Sequence, residues 1–180
     1  PTVNDRIGML HLVQIARHEQ IFHADAGFIV HIIPKSHLAC NIKDRPIISI
    51  NGDGGFQMNI QELATIALNN IPVKIIILNN GYLGMVRQWQ EMFYEKRYSG
   101  TPLTGPDFVK LAEAYGLEGI HVYKRSEIKQ AVEAARKSPR TVVLDFHVLG
   151  EDSVYPMVPA GVALDQMIQR PQNGKQGEGK

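Results

Sequence analysis

From Pro46 onward, short apolar runs of strand length alternate with stretches of helical spacing, and that alternation most restricts what this chain can fold into. Strands separated by amphipathic helices lie parallel in one sheet, with helices packed on its faces. Pro46–Asn51 reads as a buried strand that ends in Gly52-Asp53-Gly54-Gly55. Asn59 is placed to cap the following helix, with Glu62 three residues on and Ile60, Leu63, Ala64 and Ala67 sharing a face. Val73–Leu78 is the next strand, closed by Asn79-Asn80-Gly81. Pro106 opens a helix carrying Phe108, Leu111, Ala112 and Tyr115, and Gly116 ends it. Ile120–Tyr123 is a short strand, Ser126 caps a helix carrying Ile128, Ala131, Val132 and Ala135, and Thr141–His147 is a further strand. The fold class expected is α/β, a layered three-layer fold with a mainly parallel sheet.

A chain of 180 residues can bury a core of its own. Its 19 Lys and Arg against 18 Asp and Glu leave a net charge of +1, too weak a field to gather nucleic acid or an anionic membrane. Cys40 is the single cysteine, so neither an intrachain disulfide nor a cysteine-built zinc site is available, in keeping with a reducing compartment. The most apolar windows, Phe28–Ile33 and Val73–Leu78, are far short of the ~20 residues of a spanning helix, and a soluble protein is expected. Pro1 is not an initiator methionine, and no targeting peptide is visible. The first 45 residues mix helical spacing (Ile7 to Ala16) with the run Phe28–Ile33 and give no firm pattern; Asn173–Lys180 reads as a disordered tail.

Parallel sheets bind ligands outside the C-terminal ends of their strands, and two successive strands here end in Gly52-Asp53-Gly54-Gly55 and Asn79-Asn80. Glycines let bare N–H groups approach an anion, and the helix that follows points its positive end the same way. Asp53 offers a carboxylate oxygen and Asn80 an amide oxygen, both hard ligands of the kind Mg²⁺ takes beside phosphate oxygens. Each motif alone is a common turn. Jointly, with 24 residues between Gly54 and Asn79, they suggest a metal–diphosphate clamp.

That spacing resembles the thiamine-diphosphate motif. The flanking text, Phe56–Thr65, Leu78–Gln90 with its Gly84-Met85-Val86-Arg87-Gln88-Trp89-Gln90 run, Phe93-Tyr94, Arg97–Ser99, Pro106–Gly116 and Tyr155–Gly161, is similar to the catalytic large subunit of acetolactate synthase over about 44–171. The resemblance implies Asp53, Asn80 and the carbonyl of Tyr82 as Mg²⁺ ligands, and Gly52, Gly54, Gly55, Leu83 and Gly84 along the diphosphate. It implies Met85 beside the thiazolium and the substrate, and Trp89 in the substrate channel. It further implies pyruvate and a second 2-keto acid as substrates, acetolactate or acetohydroxybutyrate as products, FAD as a family cofactor, self-association, a regulatory small subunit, and a cytoplasmic location with an organelle left open. Because FAD's main binding domain is missing, this chain alone is not expected to hold it.

The pattern breaks near the N-terminus. Arg17-His18-Glu19-Gln20 resembles the family's activating-glutamate segment, which implies Glu19 as the catalytic residue, yet only 33 residues separate it from Asp53. The expected division is therefore 1–43 as an atypical remnant of the pyrimidine-binding domain, 44–171 as the diphosphate and metal domain, and 172–180 as tail, in a chain internally deleted or aberrantly joined and inactive alone. The alternatives are another thiamine-dependent 2-keto acid decarboxylase or carboligase, and a non-catalytic fragment. Three other chemistries are disfavoured. His18 and His23 lie ~140° apart on a helix and make no zinc pair. Gly52–Gln57 lacks the third glycine of a dinucleotide fingerprint, and no Gly-x-Ser-x-Gly elbow occurs.

Overall fold

The computed structural model describes residues 47–171. Four strands, β1 (Ile47–Gly52), β2 (Val73–Asn79), β3 (Glu118–Val122) and β4 (Val142–His147), form one sheet in the order β1-β2-β4-β3. All three pairings are parallel, so the expected α/β class holds. The chain steps from β1 to the adjacent β2, crosses the place that β4 later fills to lay down β3, and returns. All four strand ends therefore share one rim.

Among the described residues five α-helices accompany the strands: α1 (Asp53–Gln57), α2 (Glu62–Leu68), α3 (Gly84–Phe93), α4 (Phe108–Ala114) and α5 (Ile128–Lys137). Side chains alternate across a strand, and the alternation builds two cores. Val73, Ile75, Ile77 and Val143 project from one face and pack with Phe56, Leu63, Ile66, Phe108 and Ala112 of α1, α2 and α4. Val142, Leu144 and Phe146 project from the other and pack with Ile128, Ala131 and Ala135 of α5. The result is three layers. Each fully buried Leu, Ile or Phe here contributes roughly 1.5–3 kcal/mol from removal of apolar surface from water, and Phe56 meets Phe108 edge-on at 5.6 Å, tying α1 to α4.

Several local expectations differ from the structure. Gly52-Asp53-Gly54-Gly55 is not a free turn ahead of a helix; Asp53 is itself the first residue of α1. The chain then runs on through hydrogen-bonded turns into α2, so Asn59 caps nothing with its side chain and instead accepts the Glu62 N–H on its carbonyl. Asp107, not Pro106, caps α4, its carboxylate accepting from the N–H groups of Val109 and Lys110. Ser126 lies inside the 3₁₀ turn Arg125–Glu127, whose entrance is held by Glu127 accepting from the N–H groups of Tyr123 and Lys124. Gly116 does close α4, at φ +73°, a left-handed conformation that glycine adopts without strain. Expectations for residues 1–46 and 172–180, the divisions at 1–43 and 172–180 and Glu19 among them, lie outside the described residues. No helix among the described residues is long and apolar enough to cross a membrane.

Candidate functional site

The rim over β1 and β2 is built from backbone as much as from side chains. Asp53 leaves the end of β1 and is only 3% exposed. Its Oδ2 accepts the N–H of Gly81 at 3.1 Å, from the turn after β2. Burial pushes the Asp53 carboxyl above its usual range, while N–H groups of Gly54, Gly81, Asp53 and Asn80 pull the other way. A buried acid whose ionisation is opposed by burial is stabilised by a cation placed against it. Asn80 folds its Oδ1 back to accept the Tyr82 N–H at 3.0 Å. An amide oxygen has two lone pairs, so one remains for another partner.

The loop that follows is braced from outside the sheet. Gly81 adopts φ +69°. Its carbonyl accepts from Leu103 N–H, and Leu83 N–H donates to the Thr101 carbonyl, both at 2.8 Å. Three glycines allow close packing around the loop from Asn80 to Leu83. A Cβ on Gly84 would lie 2.9 Å from Asn80 Nδ2, one on Gly54 would lie 2.8 Å from Leu103 Cδ1, and one on Gly150 would lie 2.8 Å from the Asn80 carbonyl oxygen. A Cβ on Gly52 or Gly55 would meet nothing within 4 Å. The open ground thus lies over the first turn of α1, and the crowded ground surrounds the Asn80 loop. The rim offers hard oxygens on Asp53 and Asn80 beside the open backbone at Gly52 and Gly55, a set that fits Mg²⁺ and a diphosphate.

Helix α3 leads away from Asn80 with Leu83 at its N-cap position. Met85, Trp89 and Phe93 follow at four-residue steps along one face and are 44%, 50% and 44% exposed. Core packing, the common fate of such residues, does not apply to them.

Residues 33–146 match the family described as "Thiamine pyrophosphate enzyme, C-terminal TPP binding domain". The chain belongs to this family. Within the thiamine pyrophosphate enzymes it is similar to the acetolactate synthase large subunit of Parasynechococcus marenigrum, at 43% identity over 130 residues, covering 71% of this chain and 21% of that protein. It is similar to the corresponding subunit of Corynebacterium glutamicum at 50% over 125 residues, 66% of this chain and 20% of the relative. It is also similar to the isozyme 2 large subunit of Escherichia coli at 39% over 125 residues, 69% of this chain and 23% of the relative. Among solved structures, the thiamine diphosphate-dependent 4-hydroxybenzoylformate decarboxylase of Rhodococcus jostii superposes with a TM-score of 0.59 at 31% identity, over 63% of this chain and 22% of that one. The chain spans about a fifth of the length of the curated relatives it matches.

The structure brings Asp53, Gly54, Gly81 and Asn80 together at one rim, with Tyr82, Leu83, Gly84 and Met85 continuing from it. Two features escaped the sequence reading. One is α3 itself, whose apolar side chains face outward. The other is a polar cluster at the opposite half of the rim, around Asp145, whose only sequence signal is the Asp145-x-His147 spacing within a strand.

Proposed function

We propose that this chain is the diphosphate- and Mg²⁺-binding part of an acetolactate-synthase-type thiamine enzyme. The observation that carries the reading is the 3.1 Å contact between Asp53 Oδ2 and the Gly81 N–H, which sets the acid of one strand end against the Asn80 turn of the next. In this reading Asp53 Oδ and Asn80 Oδ1 hold the metal, with the Tyr82 carbonyl as a third ligand. The backbone of Gly52, Gly54, Gly55, Leu83 and Gly84 lies along the diphosphate. Met85 packs by the thiazolium, and Trp89, on the same face of α3, lines the path of the second 2-keto acid. The cofactor, when bound, supplies the nucleophilic carbon and electron sink needed to decarboxylate pyruvate and join it to a second 2-keto acid. The chain's own contribution is to bind and orient it, neutralise its diphosphate and keep one apolar wall beside the reacting end. Glu19 is assigned the activation of the aminopyrimidine, within a remnant spanning 1–43.

The same reading gives the assembled enzyme 2-keto acid substrates, self-association, a regulatory small subunit and a cytoplasmic location, and leaves the family's FAD to a part of the enzyme outside this chain. Calorimetric titration with thiamine diphosphate tests it: heat of binding that depends on Mg²⁺ is expected, and no binding with Mg²⁺ present overturns it. The isolated chain is expected to form no acetolactate, and measurable product refutes that expectation. The likeness to a decarboxylase favours a second reading, a different thiamine-dependent 2-keto acid enzyme. Trp89→Ala in a reconstituted active enzyme tests the finer assignment: a changed preference for the second keto acid supports the first reading, and acetolactate formation with unchanged preference weakens it.

A further inference from the structure

The half of the rim formed by β4 and β3 gathers polar side chains that the proposed thiamine chemistry does not use. His121 of β3 is the register partner of Asp145 of β4, and His147 lies two residues beyond Asp145, so the three share a face. Asp145 is 1% exposed. Its Oδ2 lies 3.3 Å from His121 Nδ1 and 3.1 Å from His147 Nε2, while its Oδ1 accepts from Asn79 Nδ2 at 3.1 Å. Both of those ring nitrogens are shut off from solvent, and neither has a hydrogen-bond partner. The three ligand-type atoms all lie within 4.8 Å of one another.

Two imidazole nitrogens aimed at one carboxylate oxygen, without the alignment of hydrogen bonds, are left costly by burial. A cation between them satisfies all three atoms at once. Tetrahedral zinc with bonds of ~2.0–2.1 Å sets its ligand atoms about 3.3 Å apart, close to the two separations from Asp145 Oδ2, 3.3 Å to His121 Nδ1 and 3.1 Å to His147 Nε2. Nitrogen in two of three positions suits Zn²⁺ and its borderline neighbours, whereas Mg²⁺ and Ca²⁺ take oxygen. Behind the cluster, His121 Nε2 faces Asp107 Oδ1 at 3.3 Å. Asp107 is itself fixed by the first turn of α4, and the N–H of Lys110 leads the influences that hold its carboxyl below the usual range. A carboxylate behind a ligating imidazole keeps the proton on the far nitrogen and aims the lone pair at the metal. Tyr123 stacks on both rings, at 4.3 Å from His147 and 5.3 Å from His121, and limits their rotation.

We propose that His121 Nδ1, Asp145 Oδ2 and His147 Nε2 form a binding site for a zinc-class divalent cation, oriented by Asp107 and distinct from the Asp53–Asn80 clamp. Bound there, the cation ties the edge strand β3 to β4.

The test uses the full 180-residue chain, stripped with chelator and titrated calorimetrically with zinc chloride, with Co²⁺ absorption as a coordination readout. His11, His18, His23, His31, His37 and Cys40 are further donors in the sequence, so the variants decide the result. A binding step that weakens tenfold or more in both His121→Gln and His147→Gln, and by about 10–100-fold in Asp107→Asn, supports the site. Both histidines are partly exposed, and circular dichroism checks that the variants fold. Zinc binding unchanged in both histidine variants, or no zinc binding by the folded parent chain, overturns it. Thiamine diphosphate titrations on the same variants are expected to match the parent, so this proposal and the thiamine reading fail separately.

Discussion

Gln88 and Val154 are joined amide to backbone: Gln88 Nε2 donates to the Val154 carbonyl at 2.9 Å, and Gln88 Oε1 accepts the Val154 N–H at 2.7 Å. Gln88 is the buried residue of α3, at 2% exposure, while the apolar residues of that helix face outward. Gln90 repeats the device on the other side, exchanging two hydrogen bonds with the backbone of Ser99. Amide clamps rather than apolar packing thus fasten the helix that begins beside Asn80.

Gln88→Ala is therefore expected to cost about 1–3 kcal/mol, because it removes both hydrogen bonds to the Val154 backbone together with a buried side chain. Chemical denaturation gives the magnitude. Hydrogen exchange at the Val154 amide gives the location, and unchanged protection there would show that the clamp carries no weight.

Asp53→Asn is expected to lower thiamine diphosphate affinity in the presence of Mg²⁺ by at least tenfold, equivalent to ~1.4 kcal/mol, and to abolish the Mg²⁺-dependent increment. Without metal the sign reverses. Burial lifts the folded carboxyl above its ordinary 3.8, so between 3.8 and that higher value the folded state holds more protons than the unfolded one, and stability falls as pH rises. Melting temperatures across the acid range should show this fall in the parent and not in the variant.

Gly55→Ala and Gly150→Ala should part company. The first adds a methyl to open space in a helix, so it should leave stability level or raise it by up to ~1 kcal/mol. If the diphosphate lies where we propose, it should still weaken cofactor binding. The second drives a methyl into the Asn80 carbonyl and the Tyr82 ring, and should cost about 1–3 kcal/mol. Paired melting and titration experiments on the two variants separate a ligand cradle from a packing contact.

Lys74 is a buried cation, 7% exposed, whose Nζ donates to the carbonyls of Ser138 and Arg140. Burial pushes it below its ordinary 10.5, against a smaller opposing pull from Glu118. Between the lowered value and 10.5 the unfolded chain binds more protons, so stability should climb with pH across that window. The difference between the parent and Lys74→Met, followed by urea denaturation at rising pH, isolates this gain, and parallel curves would count against it.

What the residues disclosed in advance follows from where their information lies. β2 and β4 are runs of apolar residues of strand length, and their limits fell within a residue of expectation. Asp53 and Asn80 were legible because the spacing of two strand-end turns is a one-dimensional signal of a shared rim. Helix α3 was hidden because its pattern is inverted, with Gln88 inside and Trp89 outside. The His121–Asp145 pairing was hidden for a different reason: it depends on β4 entering the sheet between β2 and β3, a neighbour relation that chain order does not disclose.

Asn79 and Asn80 are consecutive, yet their side chains serve opposite halves of the rim. Asn79 reaches across to Asp145, and Asn80 curls back over Tyr82. One peptide unit is therefore the fulcrum between the two ends of the sheet's edge. Side-chain changes at either end leave that peptide in place, whereas a change to the Asn79–Asn80 backbone would disturb both at once.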